Sequence, residues 1–137
     1  MVGVSSVKKE SGANIIRRPS IIVMSYLQEF GYKVIPVNPF AVGEKIHGET
    51  VIDNLENIKI PIDIVNIFRP SKETPILANQ AVKIKTKVLW LQYGIQNEEA
   101  KKISTEANIS YVENSCIKQE YQKIFQKMSP VFPALKL

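Results

Sequence analysis

The stretch Gly31-Tyr32-Lys33-Val34-Ile35-Pro36-Val37-Asn38-Pro39 decides the fold class of this chain. Its apolar middle predicts a buried strand over residues 33–37 that stops at a proline. A helix is predicted just before this strand, because Pro19-Ser20 is typical of a helix start and Gly31 of a helix end. In an open α/β sheet, a helix N-terminus beside the carboxyl ends of the strands is where nucleotides bind. The stretch therefore indicates an α/β fold with a nucleotide site.

The rest of the chain continues this alternation of strands and helices. Strands are predicted at residues 1–6, 33–37, 62–68, 88–91 and 110–113, and the sequence begins inside the first of them. Helices are predicted at residues 19–30, 74–84, 97–107 and from just after Cys116 to about Met128. Because the strands are apolar on both faces, the pattern predicts a mostly parallel five-stranded sheet with helices on both faces, in three layers.

Length and composition fit one folded unit. The chain has 137 residues, 45% of them hydrophobic, which is enough to bury one core. We expect a domain over residues 1–128 and a C-terminal tail over residues 129–137, because the prolines of the tail exclude a helix there.

The charge pattern excludes some partners. The net charge is +5, and part of it lies in the first loop, at Lys8, Lys9, Arg17 and Arg18. This basic cluster is either a phosphate site or a solvated loop. We expect no nucleic-acid binding, because most aromatic residues belong to apolar strand or helix patterns. No apolar run is long enough to span a membrane, and the single cysteine favours a reducing, cytoplasmic location.

Two features of dinucleotide enzymes are missing. The first predicted strand is not followed by a glycine-rich turn, and the second ends at Asn38-Pro39 without an acid for ribose hydroxyls. The absence of an acid favours a ligand with a phosphorylated ribose, since a carboxylate would repel the phosphate. The alternative is that Asn38-Pro39 is an ordinary turn.

Several segments resemble a known family, the small bacterial CoA-binding proteins whose fold is similar to the N-terminal domain of the succinyl-CoA synthetase α subunit. The resemblance spans nearly the whole chain. It rests on Gly3-Val4-Ser5, Arg18-Pro19-Ser20, Tyr26-Leu27, Gly31 to Pro39, Gly48-Glu49, Phe68-Arg69, Val88-Leu89-Trp90-Leu91-Gln92, Gly94-Ile95 and Cys116.

The resemblance implies a Rossmann-like domain that binds coenzyme A at the carboxyl ends of its strands. Ser20 and the amides after Pro19 would receive the pyrophosphate, and Arg18 would add a charge-assisted contact. Gly3 and Ser5 would let the backbone approach the phosphates, with ordinary turn chemistry as the alternative.

The resemblance also implies a path for the rest of the ligand. Val37, Asn38 and Pro39 would flank the adenosine, and Lys45 is a candidate partner for the 3′-phosphate. The alternative for Arg69 is that it is a solvated loop residue without a role in binding. The alternative for Gln92 is that it makes structural hydrogen bonds. The implied lining of the adenine and pantetheine path is Phe68, Arg69, Pro70, Gln92, Tyr93 and Gly94.

The sequence departs from this family pattern at a few positions. Lys85 stands where a helix-ending glycine is usual, at a cost of about 1 kcal/mol if the position is left-handed. His47 occupies a commonly apolar position, and Asn114-Ser115 replace an Asp-Arg pair before Cys116.

Catalytic and metal chemistry have little support in the sequence. His47 is the only histidine, and no serine spacing suggests a triad with it. One histidine and one cysteine cannot build a histidine- or thiolate-based metal site, so no metal is expected. Cys116 is either a thiol near the pantetheine end, able to form a mixed disulfide with coenzyme A, or a small buried hydrophobic residue.

The leading hypothesis is therefore non-catalytic binding of coenzyme A or an acyl-CoA, in a sensor or carrier role. One alternative is the CoA-binding subunit of an acyl-CoA synthetase-type enzyme, with a catalytic partner on another chain. Another is an NAD(P)-binding redox module, which the missing ribose-binding acid disfavours.

Overall fold

The computed structural model describes residues 1–6 and 18–128, with side chains as far as Phe125. This part of the chain contains four α-helices. They are α1 (Pro19–Glu29), α2 (Thr74–Lys83), α3 (Glu98–Glu106) and α4 (Ile117–Met128). Single 3-10 turns lie at Leu55–Asn57 and Ser71–Glu73. The predicted tail at residues 129–137 lies outside the described residues, and its separation from the domain stays a prediction.

The strands form a parallel sheet and a small hairpin. The hairpin pairs β1 (Lys45–Ile46) with β2 (Glu49–Thr50) in antiparallel fashion. The sheet has the order β3 (Ile64–Ile67), β4 (Val88–Leu91), β5 (Ser110–Val112), all parallel. Ile64 lies opposite Val88, and Val88 lies opposite Ser110.

The five-stranded sheet expected from the sequence is not confirmed, because regular pairing covers three strands. The first two predicted strands contribute single parallel bridges instead, from Val2 to both Val37 and Ile67 and from Val37 to Ile52. Pro36 within the second of these segments has no N–H to extend a ladder, which limits regular pairing there.

Helix boundaries follow the local chemistry that the sequence predicts. The Asn97 side chain accepts a hydrogen bond from the Ala100 amide at 2.9 Å and caps α3, as expected for an N-cap. Asn108 follows the same helix in the left-handed region, with φ of 59°. Lys85 follows α2 with φ of 57°, so this lysine does occupy a left-handed position.

Two core clusters cover the two faces of the sheet. Leu89 and Leu91 belong to one cluster, together with Ala78 and Ala81 of α2 and Ala100 of α3. Trp90, between them in sequence, packs against the other cluster, which contains residues of α1 and α4. Since neighbouring strand residues point to opposite faces, α1 and α4 cover one face and α2 and α3 the other.

Candidate functional site

The carboxyl ends of the parallel strands define the edge where the sequence predicts a site. Val2, Val37 and β3 run side by side in the same direction, so the segments that follow them leave the sheet together. These segments are residues 3–6, 38–40 and 68–70, with residues 92–94 following β4.

The first of these loops is tied to the start of α1. The Ser5 amide donates a hydrogen bond to Ser20 Oγ at 3.1 Å, and the Ser20 hydroxyl donates to Ser5 Oγ at 3.4 Å. Ser20 is buried, with an exposed fraction of 3%. The contact therefore holds the helix N-terminus against the loop, in the arrangement that the sequence predicts for an anion site.

Most of the first amides of α1 already donate within the helix start. Pro19 carries no N–H, so the amide of Ser20 is the first donor of the helix. The amides of Ile21 and Ile22 both donate to the Arg18 carbonyl at 3.1 Å. Arg18 is the N-cap residue, and its side chain makes no capping hydrogen bond to this helix end.

Gly3 lies in close contact with another segment of this chain. Its φ is +92°, and a Cβ atom there would lie 2.6 Å from the Phe68 carbonyl oxygen and 2.9 Å from Arg69 Cδ. The close approach at Gly3 is thus between two segments of this chain. It brings the loop after Val2 against the loop after β3.

Asn38 joins two of the loops at the edge. Its Nδ2 donates to the Val4 carbonyl at 2.8 Å, while its Oδ1 accepts from the Phe40 amide at 2.8 Å. Val37 is buried, so only its backbone can meet a ligand, whereas Pro39 and Phe40 are exposed. The carboxamide of Asn38 therefore shapes the turn.

Arg69 and Gln92 also make internal contacts. The Arg69 guanidinium pairs with the Glu73 carboxylate at 2.8 Å on the surface. Gln92 is buried, and its Oε1 accepts hydrogen bonds from Asn66 Nδ2 at 2.9 Å and from the Ile117 amide at 3.0 Å. Both residues thus have partners within the chain, and their roles toward a ligand stay predictions.

The other predicted residues lie at the margins of the edge. Phe68 packs against the core, and Pro70 caps the 3-10 turn that follows β3. The Gly94 amide donates to Asn114 Oδ1 at 2.7 Å. Lys45 is an exposed residue of the β1–β2 hairpin, where it lies opposite Thr50.

The structure adds residues that the sequence did not single out. Glu44 is buried and accepts a hydrogen bond from the Ser6 hydroxyl at 2.7 Å. Phe40 has an exposed fraction of 86% and lies directly after Asn38-Pro39. Asn66 is a buried amide in a strand of β-branched residues, and that break in the apolar pattern is the signal that would have found it.

Cys116 does not stand out chemically. It is half-buried, directly before α4, and packs against the cluster that contains Val4 and Met24. Within residues 1–6 and 18–128, no group of three His, Cys, Asp or Glu side chains is placed to hold a metal ion. No helix in the same residues combines the length and apolarity needed to cross a bilayer.

The fold and this edge define an α/β protein with a helix N-terminus facing the carboxyl ends of parallel strands. A family model described as CoA binding domain matches residues 11–122. The chain belongs to this CoA-binding domain family, as the resemblance in its sequence indicated.

The chain is also similar to one curated protein and to two solved structures. It is 38% identical to the Bacillus subtilis (strain 168) protein YneT, called uncharacterized, over 74% of this chain and 73% of that protein. A solved structure, cell-free ID.343 from Thermus thermophilus, has a TM-score of 0.80 and 32% identity, covering 89% of this chain and 85% of the other. A hypothetical protein from Pyrococcus horikoshii OT3 has a TM-score of 0.79 and 35% identity, covering 90% and 80%.

Proposed function

We propose that this protein binds coenzyme A or an acyl-CoA and performs no chemistry on it. The observation that carries the proposal is the match to the CoA-binding domain family over residues 11–122. The proposal includes the finer fold, a Rossmann-like five-stranded sheet in which the bridged segments at Val2 and Val37 act as the first two strands.

The start of α1 is the proposed pyrophosphate site. The Ser5–Ser20 contact fixes the loop after Val2 beside the first amides of this helix. Helix N-termini attract anions because their amides and dipole both favour negative charge. Arg18, directly before the helix, supplies a guanidinium for a charge-assisted contact.

The adenosine end is proposed to lie over the loop that Asn38 shapes. The exposed surface of Pro39 would contact the base, while the Asn38 carboxamide holds the loop through Val4 and Phe40. Lys45 is the proposed partner of the 3′-phosphate. The proposed lining of the adenine and pantetheine path consists of Phe68, Arg69, Pro70, Gln92 and Gly94. Gln92 contributes to it by holding Asn66 and the start of α4 in position.

A binding role fits this edge better than catalysis does. Its polar side chains Ser20, Asn38 and Gln92 all make hydrogen bonds that hold loops and helices together. We therefore propose a sensor or carrier located in the cytoplasm of a bacterium. A CoA-binding subunit of a larger synthetase is the alternative, and co-purification with an acyl-CoA synthetase subunit would favour it.

Thermal unfolding with and without coenzyme A tests the proposal. A ligand at 100 times its dissociation constant adds about 2.7 kcal/mol of stability, which raises Tm measurably. CoA or acetyl-CoA should raise Tm, whereas NADH and NADPH should not. No shift with saturating CoA and acetyl-CoA would contradict the proposal, and a shift with NADPH alone would favour a redox module.

Lys45→Gln tests the assignment of the 3′-phosphate. Affinity for CoA should fall about tenfold, in line with the loss of one charge-assisted hydrogen bond. Affinity for dephospho-CoA, which lacks that phosphate, should not change. Lys59→Gln is the matched control, since Lys59 is also exposed but lies in the connection before β3. Equal losses for both ligands would show that Lys45 does not contact the 3′-phosphate.

A further inference from the structure

The turn that follows the segment 33–37 carries exposed apolar side chains. Pro39 is exposed, and the exposed fraction is 86% for Phe40 and 57% for Val42. Ala41, between the last two, is buried. Three apolar side chains within four residues thus face solvent at the carboxyl edge of the sheet. We call residues 39–42 the apolar tip.

The backbone of the apolar tip is fixed by hydrogen bonds. The Phe40 amide donates to Asn38 Oδ1 at 2.8 Å, and the Ala41 amide donates to the Asn38 carbonyl at 3.1 Å. After the tip, the Glu44 amide donates to the Ala41 carbonyl at 3.1 Å. The exposed ring of Phe40 is therefore carried on an ordered turn, so that a contact with this ring costs little further ordering of the backbone.

The residues on either side of the apolar tip contact the loop after Val2. Before the tip, Asn38 Nδ2 donates to the Val4 carbonyl at 2.8 Å. After the tip, the Glu44 carboxylate accepts a hydrogen bond from the Ser6 hydroxyl at 2.7 Å. Because these two contacts bracket the tip, residues 39–43 stand directly beside residues 4–6.

The same loop contacts the start of α1, where the pyrophosphate site is proposed. Ser5 lies between Val4 and Ser6, and its amide donates to Ser20 Oγ at 3.1 Å. The start of α1 and the turn that carries the apolar tip therefore both contact residues 4–6. This shared contact brings the proposed anion site and the ring of Phe40 close together.

The chemistry of these neighbouring groups is complementary to that of a nucleotide. A helix N-terminus favours a phosphate group. An exposed aromatic ring such as that of Phe40 offers a face on which a flat base stacks, whatever the identity of the base. Lys45 follows Glu44 directly and is exposed, so that it adds a cation at the end of the same turn.

A protein partner is the other class of molecule that binds exposed aromatic rings. A stable protein interface buries about 800 Å² on each side and involves about 20–30 residues. The apolar tip offers three exposed side chains, and the loop beside it contains the polar residues Ser5 and Ser6. A patch of this size and setting suits a single base better than a protein surface.

We propose that the base of the bound nucleotide stacks on the ring of Phe40, with Pro39 and Val42 completing the apolar contact. We rest this inference on the proposed function, the binding of coenzyme A, whose base is adenine. It adds a specific residue that holds the base end of the ligand. Loss of the ring should therefore weaken the binding of ligands that carry a base and of no others.

Calorimetric titration of Phe40→Ala with three probes tests this role. CoA carries both the base and pantetheine, adenosine 3′,5′-bisphosphate carries the base alone, and 4′-phosphopantetheine carries pantetheine and a phosphate without the base. The variant should bind CoA and adenosine 3′,5′-bisphosphate about tenfold more weakly than the unchanged protein, as expected for the loss of one base–aromatic stack. Its affinity for 4′-phosphopantetheine should not change.

Two further variants serve as controls. Phe40→Trp should bind CoA at least as tightly as the unchanged protein, because tryptophan presents a larger ring face. Tyr32 is also an exposed aromatic residue, at 48%, but it lies at the other end of the segment 33–37. Tyr32→Ala should therefore leave the CoA affinity unchanged. Since the Phe40 side chain is exposed, Phe40→Ala should keep the Tm of the ligand-free protein.

Three results would overturn the role of Phe40 while leaving CoA binding intact. The first is equal CoA affinity of the unchanged protein and Phe40→Ala. The second is an equal loss for CoA and 4′-phosphopantetheine, which would show a general effect on the loop. The third is a dimer in light scattering that Phe40→Ala disrupts, which would assign the apolar tip to a second copy. Absence of CoA binding by the unchanged protein would instead contradict the proposed function, and the role of Phe40 with it.

Discussion

Among the described glycines, Gly3 is the one at which both the backbone conformation and the surroundings restrict substitution. Its φ of +92° is disfavoured for other residues, and a Cβ would lie 2.6 Å from the Phe68 carbonyl oxygen. We expect Gly3→Ala to lower the free energy of unfolding by about 2–4 kcal/mol, through backbone strain and displacement of the loop after β3. Urea denaturation measures this loss.

Gly43→Ala is the control that separates strain from the close contact. Its φ is +86°, but no atom lies within 4 Å of the position of a Cβ. This variant should lose only about 1 kcal/mol, the cost of the left-handed backbone. Equal losses at both positions would show that the contact with Phe68 contributes nothing.

Lys85 is a residue whose replacement by glycine should stabilise the protein. Its φ is 57° at an exposed position after α2, where its amide donates to the Val82 carbonyl. Lys85→Gly should raise the free energy of unfolding by about 0.5–1 kcal/mol, because glycine adopts this conformation without steric cost. Lys102→Gly, inside α3, should instead lower it by about 1 kcal/mol. A loss of stability at Lys85 would contradict the strain argument.

At the scale of elements, Gln92 joins two strands and a helix. Its Oε1 accepts from Asn66 Nδ2 on β3 and from the Ile117 amide at the start of α4. Gln92→Leu would leave both buried donors without an acceptor, so we expect a loss of about 2–4 kcal/mol in the free energy of unfolding.

Gln96→Leu is the matched control for this change. Gln96 is exposed, and it is its backbone amide that bonds Ser71 Oγ, so the substitution should stay within about 0.5 kcal/mol. If both variants unfold at the same urea concentration, Gln92 does not couple the elements.

At the scale of the whole molecule, charge should influence ligand capture. The chain carries a net charge of +5, and coenzyme A is a polyanion. Raising the ionic strength from about 0.01 M to about 1 M shortens the Debye length from about 30 Å to about 3 Å. We therefore expect the CoA affinity to fall about tenfold across this range. Calorimetric titration at several salt concentrations measures the change.

Pantetheine, which lacks the phosphates, is the control for this effect. Its weaker binding should be nearly independent of salt, because it offers no anion to the helix N-terminus at Ser20. A CoA affinity that does not change with salt would place the phosphates away from the basic surface.

The local elements could be predicted from the sequence because their signals are local. Pro19 and Gly31 mark the ends of α1, Asn97 caps α3, and Asn108 stops it. The strand at residues 88–91 was predicted with its observed bounds. Each of these signals acts through a side chain or a φ preference within a few residues, which is why sequence reading captures it.

The hydrogen-bond partners of the side-chain amides depend on contacts distant in sequence. Asn38 meets Val4 across 34 positions, and Gln92 meets Ile117 across 25. Neither the residue type nor its spacing in the sequence indicates whether such a side-chain amide contacts a ligand or holds a loop in place.

The sequence by itself thus determined the α/β class, the helix ends and the edge at which a site is expected. Only the tertiary structure decided that a side chain at Gly3 would meet Phe68, and that regular parallel pairing in the described residues is confined to β3, β4 and β5. The reason is physical: propensities and caps act within a few residues, whereas sheet pairing and close packing join segments that only the fold brings together.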